Sequence, residues 1–209
     1  MKRTLILANG KPPGKRLFRT YLSSSDIFIC ADGGANSALR FGATPHLIIG
    51  DLDSIQKETL RAFKNTQTIK LNSQNSTDLE KALAAAIRKH STHITVLGAT
   101  GRRIDHAIGN LSALVKFSPR AIITFVDETC ELIPVGRSLN LNIPVGTTVS
   151  LLPISRCEGI FTHGLRWNLK NEPLELGIRD STSNLVISPS ITMKVRKGDL
   201  IVCVVKKEI

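Results

Sequence analysis

Strand-like and helix-like segments alternate from Thr4 to Val126, and no other feature narrows the fold as far. Apolar runs at 4–8, 27–31, 46–49, 68–71, 93–97 and 121–126 have strand length and β-branched content. Helical stretches lie between them, one at about 16–22 and others ending near 41, 64, 89 and 117. Thr77 with Glu80 forms a capping box ahead of the Ala-rich run that ends at Lys89. Such alternation predicts a parallel sheet with right-handed crossovers. After Asp127 the texture changes. Short apolar segments at 131–135, 139–143, 148–152, 159–162, 185–188, 192–195 and 200–205 alternate with Gly, Pro and Asn turns. They predict a small antiparallel sandwich or barrel. The expected chain is α/β, a parallel-sheet Rossmann-like domain over 1–127 followed by a smaller all-β sandwich domain over 128–209.

Composition limits what these domains do. Hydrophobic content of 42% and charged content of 22% are ordinary for a globular protein. No apolar run is long enough to span a membrane. The apolar core of residues 1–10 is too short for a signal peptide, so a cytoplasmic protein is expected. The four cysteines show no CxxC spacing, which argues against zinc. Of the net charge of +11, most falls in 1–127, where 18 Lys and Arg face 9 Asp and Glu. An anionic ligand follows, a nucleotide or a nucleic acid. The basic residues are scattered, and aromatics make up only 4%, too few for base-stacking platforms. A nucleotide is the better reading, with no nucleic-acid partner.

The acids of the first domain are placed as a set. In an open parallel sheet the carboxyl ends of the strands form one ligand-binding edge. Asp32, Asp51, Asp53, Asp78 and Asp105 all follow predicted strands. Gly50 permits a sharp turn after the third strand. Asp51 and Asp53 stand two apart, so an extended loop would aim both carboxylates the same way. A divalent ion such as Mg²⁺ would relieve their repulsion. The rival reading makes Asp53 or Ser54 the cap of a helix starting near Ile55, with Gln56 completing the box. Asp78 and Asp105 also stand near helix starts, where capping explains them in part. Gly33 and Gly34 open a helix after a strand, either as a plain turn or as a close approach to phosphate. No P-loop or GxGxxG fingerprint is present. Phosphates would then be held by metal-bridging carboxylates, backbone amides and arginine. Arg102 and Arg103 follow a Gly-rich turn, and a solvated surface role suits Arg102 better than Arg103.

In the second domain Trp167 is the single Trp, within Gly164-Leu165-Arg166-Trp167-Asn168-Leu169. A loop-rich setting suits stacking on a flat ring or cation, against the ordinary reading of a core or edge-strand Trp. Ser181-Thr182-Ser183-Asn184 reads as a polar turn able to hydrogen-bond a heterocycle.

Six blocks in order resemble the thiamine pyrophosphokinase family: Ala31-Asp32-Gly33-Gly34-Ala35-Asn36, Ile49-Gly50-Asp51-Leu52-Asp53-Ser54, Ser76-Thr77-Asp78, Gly101 to His106, the Trp167 segment and the Ser181 segment. The resemblance implies an ATP-binding first domain, a thiamine-binding second domain and transfer of pyrophosphate from ATP to thiamine's hydroxyl, with Mg²⁺ and release of AMP. It also implies a homodimer whose thiamine sites each combine one subunit's first domain with its partner's second. On that basis Asp51, Asp53, Asp78 and Arg103 would be catalytic. The first three would hold the metal, and Asp51 or Asp78 would orient the hydroxyl. Asp32, Gly33, Gly34, Asn36, Gly50, Thr100, Arg103 and Asp105 would bind ATP. Trp167, Ser181, Ser183 and Asn184 would bind thiamine. The chain departs from the family pattern at Asn75, where Asp is common, and at Arg102, where Gly is common. The rival functions are a pyrophosphokinase acting on a hydroxymethyl pterin, a silent nucleotide-binding protein motivated by Asn75, and a basic nucleic-acid binder.

Overall fold

Alternating side-chain direction along each strand decides how the first half assembles. The computed structural model describes residues 1–73 and 75–206. Gln74, in the expected polar loop, and residues 207–209, at the end of the expected second domain, lie outside the described residues. The chain divides into two compact units, at Glu128/Thr129. Together they make a mixed α/β protein with a large sheet and a smaller antiparallel one.

The first unit runs β1 (Arg3–Leu7), α1 (Lys15–Ser23), β2 (Ile27–Ala31), α2 (Gly34–Phe41), β3 (Leu47–Gly50), α3 (Lys57–Ala62), β4 (Gln67–Lys70), α4 (Asp78–Arg88), β5 (His93–Leu97), α5 (Ile104–Phe117) and β6 (Ile122–Val126). Its six strands are parallel, in the order β6-β5-β1-β2-β3-β4. The chain walks from β1 to β4 along one direction, then crosses back to set β5 on β1's other side. Strand order therefore reverses beside β1, and a crevice opens at the strands' carboxyl ends at such a reversal.

Helices cover both faces of this sheet. Leu5, Leu7, Phe28, Cys30 and Ile48 share one apolar cluster with Phe18 of α1 and with Ala35 and Ala38 of α2. Ile6, Ile29 and Ile49 alternate with them and point to the opposite face. There α4 packs on β2 and β3 through a side rich in buried Leu and Ala. Burying a Leu or Phe side chain stabilises by roughly 1.5–3 kcal/mol, so these two layers hold the strand ends in place.

The second unit is all strand: β7 (Cys130–Pro134), β8 (Ser138–Asn142), β9 (Thr148–Pro153), β10 (Cys157–His163), β11 (Lys170–Leu174), β12 (Ser181–Leu185), β13 (Ser190–Lys194) and β14 (Leu200–Val205). Four run antiparallel as β12-β9-β14-β7 and four as β11-β10-β13-β8. Both sets bury residues in one cluster, including Val149, Leu151, Ile160, Leu174, Met193 and Val202. Two differences from the sequence reading stand out. β11 is an additional strand, polar and containing Pro173, which an edge position tolerates. The expected turn at Ser181-Thr182-Ser183-Asn184 is instead part of β12, paired with β9 across an irregular register. No described helix is long and apolar enough to cross a membrane.

Candidate active site

Asp32 directly follows β2, Asp51 directly follows β3, and Asp78 is the first residue of α4. The fold brings one carboxylate oxygen from each within 4.8 Å of the others. Gly50 makes this convergence possible. A Cβ there would lie 2.9 Å from Asp32 Cβ and 3.1 Å from Asp78 Oδ1. Its value is the close approach of two acids more than freedom to turn. Gly34 has a similar packing reason, because a Cβ on it would collide with the Leu7 carbonyl oxygen.

The cluster is held under stress. Asp32 is 3% exposed, adopts a left-handed φ of 44°, and leaves its buried Oδ1 without a hydrogen-bond partner. Burial raises its pKa above the usual carboxylate value, and the charges of Asp78 and Asp51 add to the rise; the Gly33 N–H opposes it. Asp78 is better satisfied, its Oδ1 accepting from Lys81 Nζ at 2.9 Å and from the Asp51 N–H at 3.3 Å. Three converging carboxylates with an orphaned buried oxygen fit a hard, oxygen-seeking divalent cation.

Asp53 takes a different course. Leu52 has a left-handed φ of 68° and turns inward onto the apolar cluster. The loop is therefore not extended there, and Asp53 stands outside the carboxylate group that Asp51 joins. The Asp53 N–H donates to Asp51 Oδ1 at 3.2 Å, while Asp53 Oδ1 accepts from the Ser54 hydroxyl. Asp53 is exposed and lines the same cleft, but no oxygen of it joins the three-carboxylate group.

The capping readings also change. α3 begins at Lys57, and neither Asp53 nor Ser54 caps it. Asn36 braces this loop instead, donating to the Ser54 carbonyl at 2.8 Å and accepting from the Gln56 N–H at 3.0 Å. Thr77 caps α4 with Glu80 as the reciprocal partner, which leaves Asp78 free for the cluster. Asp105 does not cap α5, whose N-cap position is Arg103. It pairs with the Arg103 guanidinium through two hydrogen bonds, at 3.1 and 2.5 Å. Those bonds hold the Asp105 carboxyl down at about 2.

The acids open into a cleft of about 720 Å³ within the first unit, lined also by Lys81, Thr100, Arg102, Arg103 and Asp105. Thr100 donates to Asp127 Oδ2 at 3.1 Å, and Arg102 reaches Asn9 Oδ1 at 3.5 Å. Gly33, Gly34, Asn36 and Gly50 do not line this cleft. Lys81 is the residue the sequence reading passed over, hidden among helix formers. The available signal was its spacing of three from Asp78 on a helix.

The second unit holds its own cleft, of about 680 Å³, around Trp167. Trp167 is 59% exposed, neither a core nor a strand residue, and the Arg166 guanidinium lies 5.7 Å from the ring centroid. Asn184 is buried and clasps the Trp167 backbone, accepting from its N–H at 3.2 Å and donating to its carbonyl at 2.7 Å. Ser181 and Asn184 line this cleft with Trp167. Ser183 does not; its N–H donates to Ser150 Oγ at 3.0 Å.

Comparison with known proteins adds independent findings. Residues 18–126 match the family model described as thiamin pyrophosphokinase, catalytic domain, and 125–200 match thiamin pyrophosphokinase, vitamin B1 binding domain. Thiamine pyrophosphokinase 1 of Oryza sativa subsp. japonica is 33% identical over 187 residues, covering 76% of this chain and 71% of that protein. Thiamine pyrophosphokinase of Bacillus subtilis is 28% identical over 208 residues, covering 96% and 97%. The fold is shared with the solved thiamin pyrophosphokinase from Candida albicans, at a TM-score of 0.86 and 18% identity over 98% of this chain and 88% of that one.

Proposed function

This chain belongs to the thiamin pyrophosphokinase family, and from that premise we propose that it transfers the pyrophosphoryl group of ATP to the hydroxyl of thiamine, giving thiamine diphosphate and AMP. The observation carrying the reading is the group formed by Asp32, Asp51 and Asp78 at the strand ends of an α/β unit. Transfer of this kind needs positioning and charge neutralisation more than covalent chemistry.

Asp32, Asp51 and Asp78 would hold Mg²⁺, whose chemistry is to offset charge on the transferring phosphates. The convergence of their oxygens and the orphaned Asp32 Oδ1 support this set. Asp53 lines the cleft beside it. Arg103 offers positive charge at the rim and is kept in a fixed orientation by Asp105. Thr100 and Arg102 complete the polar wall facing ATP. In the second unit Trp167 offers a stacking face to the flat thiamine cation, with Ser181 beside it and Asn184 fixing the backbone.

In the same proposal the first unit is a Rossmann-like ATP-binding domain over 1–127. The second is a thiamine-binding β-sandwich over 128–209, and the protein is a cytoplasmic homodimer. Reversal of strand order beside β1 supports the first assignment, and the core shared by the two four-stranded antiparallel sets supports the second. The test is AMP release from ATP, measured with thiamine and, separately, with a hydroxymethyl pterin. AMP formed in step with thiamine diphosphate is the expected result. Release only with the pterin, or with neither acceptor, would overturn the reading.

A further inference from the structure

We propose that Lys81 is a built-in cation of the three-carboxylate cluster, fixing Asp78 and balancing one negative charge so that the cluster takes a single divalent ion. This deepens the proposed function and rests on the cluster being its metal site.

Lys81 is 6% exposed. Lysine is almost never fully buried unless paired, because an ammonium is strongly disfavoured away from water. Its partner is Asp78, one helical turn earlier on α4, at 2.9 Å. Among the described residues Lys81 makes no other ion pair or side-chain hydrogen bond, although an ammonium carries three donors. The nearby acid Glu80 is already taken by Lys116 at 2.8 Å.

Charge explains why a buried lysine belongs here. Asp32, Asp51 and Asp78 together carry three negative charges when ionised. One divalent cation leaves a single negative charge, and Lys81 supplies the balancing positive one. The other basic side chains on the cleft cannot substitute from their positions. Arg103 is exposed and tied to Asp105, and Arg102 reaches out to Asn9. Lys81 also pins the Asp78 carboxylate by one oxygen, so the ligand is oriented before the ion arrives. A like charge so close to the ion must weaken its binding to the free protein. Lys81 therefore gives up metal affinity in return for a neutral, preordered site.

The test is equilibrium Mn²⁺ binding to the metal-free protein without nucleotide, read by electron paramagnetic resonance. The wild type should bind one Mn²⁺ per chain. Lys81→Met should bind it roughly tenfold more tightly or better, because the repelling charge is gone. Lys81→Arg, which keeps the charge, should stay near the wild type. Unchanged or weaker Mn²⁺ binding by Lys81→Met would overturn the inference, since loss of a merely structural lysine gives no gain in affinity. Absence of Mn²⁺ binding by the folded wild type would instead remove the metal reading on which the inference stands. Should Lys81→Met not fold, Lys81→Gln carries the same measurement. Should neither fold, Asp78→Asn is compared with Asp78→Asn/Lys81→Met. A higher Tm for the double variant supports the pairing, and a lower one overturns it.

Discussion

A buried carboxylate with an unpartnered oxygen destabilises the metal-free protein whenever it is ionised. Asp32 is that residue. Its folded pKa is raised by burial. Its favourable contribution is present below the unfolded value, about 3.9, and is lost as pH rises through the higher folded value. Asp32→Asn should therefore raise the Tm of the metal-free protein at neutral pH. The gain should fade below about pH 4, where the wild-type carboxyl is protonated too. Mg²⁺ should stabilise the wild type and leave the variant almost unmoved, in thermal melts with and without the ion. Asp51 and Asp53, one inside the carboxylate group and one outside it, give a second expectation. Asp51→Asn should lower turnover by roughly 10²–10³-fold, the scale for removing a positioned electrostatic group. Asp53→Asn should be much milder, because Asp53 stands outside the group. Equal losses in steady-state assays would return Asp53 to the metal site.

At the scale of elements, α4 is the part on which the cluster turns. It starts where it does because Thr77 accepts from the Glu80 N–H while Glu80 reaches back to the Thr77 N–H. That start places Asp78 at the cluster and Lys81 one turn deeper. Thr77→Ala should destabilise the protein by about 1 kcal/mol in urea titration. It should also weaken Mn²⁺ binding, because the first turn that carries Asp78 loosens. Unaltered stability would mean that packing against β2 and β3 sets the helix start by itself. This element was legible from sequence through Thr77 and Glu80, as was the strand–helix alternation of the first unit. Other features were not, for definite reasons. β11 carries Pro173 and no alternation, and only its place at a sheet edge makes it a strand. The Ser181 segment reads as a turn because its residues are turn formers, yet pairing with β9 draws it into the sheet. Asp53 looked equivalent to Asp51 because spacing does not reveal that Leu52 adopts a left-handed conformation. Lys81 offered only its spacing of three from Asp78, because burial of a lysine is a tertiary fact.

Each unit of the molecule carries a cleft of its own. The acidic one lies in the first unit, which has little exposed aromatic surface with which to grip a flat organic cation. The second unit has the exposed Trp167 but lacks a described three-carboxylate group. A two-fold dimer that brings one copy's Trp167 to its partner's acids would complete two equal sites. Stacking of a cation on Trp contributes roughly 0.5–2 kcal/mol. Trp167→Ala should therefore weaken thiamine binding by about 2- to 30-fold, with a further loss from apolar burial, while ATP binding changes little. Arg166 already lies over the ring, so its guanidinium must share the indole or move aside when thiamine arrives. Unchanged thiamine affinity in calorimetric titration would remove Trp167 from the pocket. The shared-site arrangement has a sharper test. Trp167→Ala and Asp51→Asn proteins, each weak in assay alone, are mixed and allowed to exchange subunits. A mixed dimer holds one site with both defects and one with neither. Activity should rise towards half that of the wild type per mixed dimer. If subunit exchange is demonstrated with labelled protein and activity stays at the level of the separate variants, each site is built within a single chain.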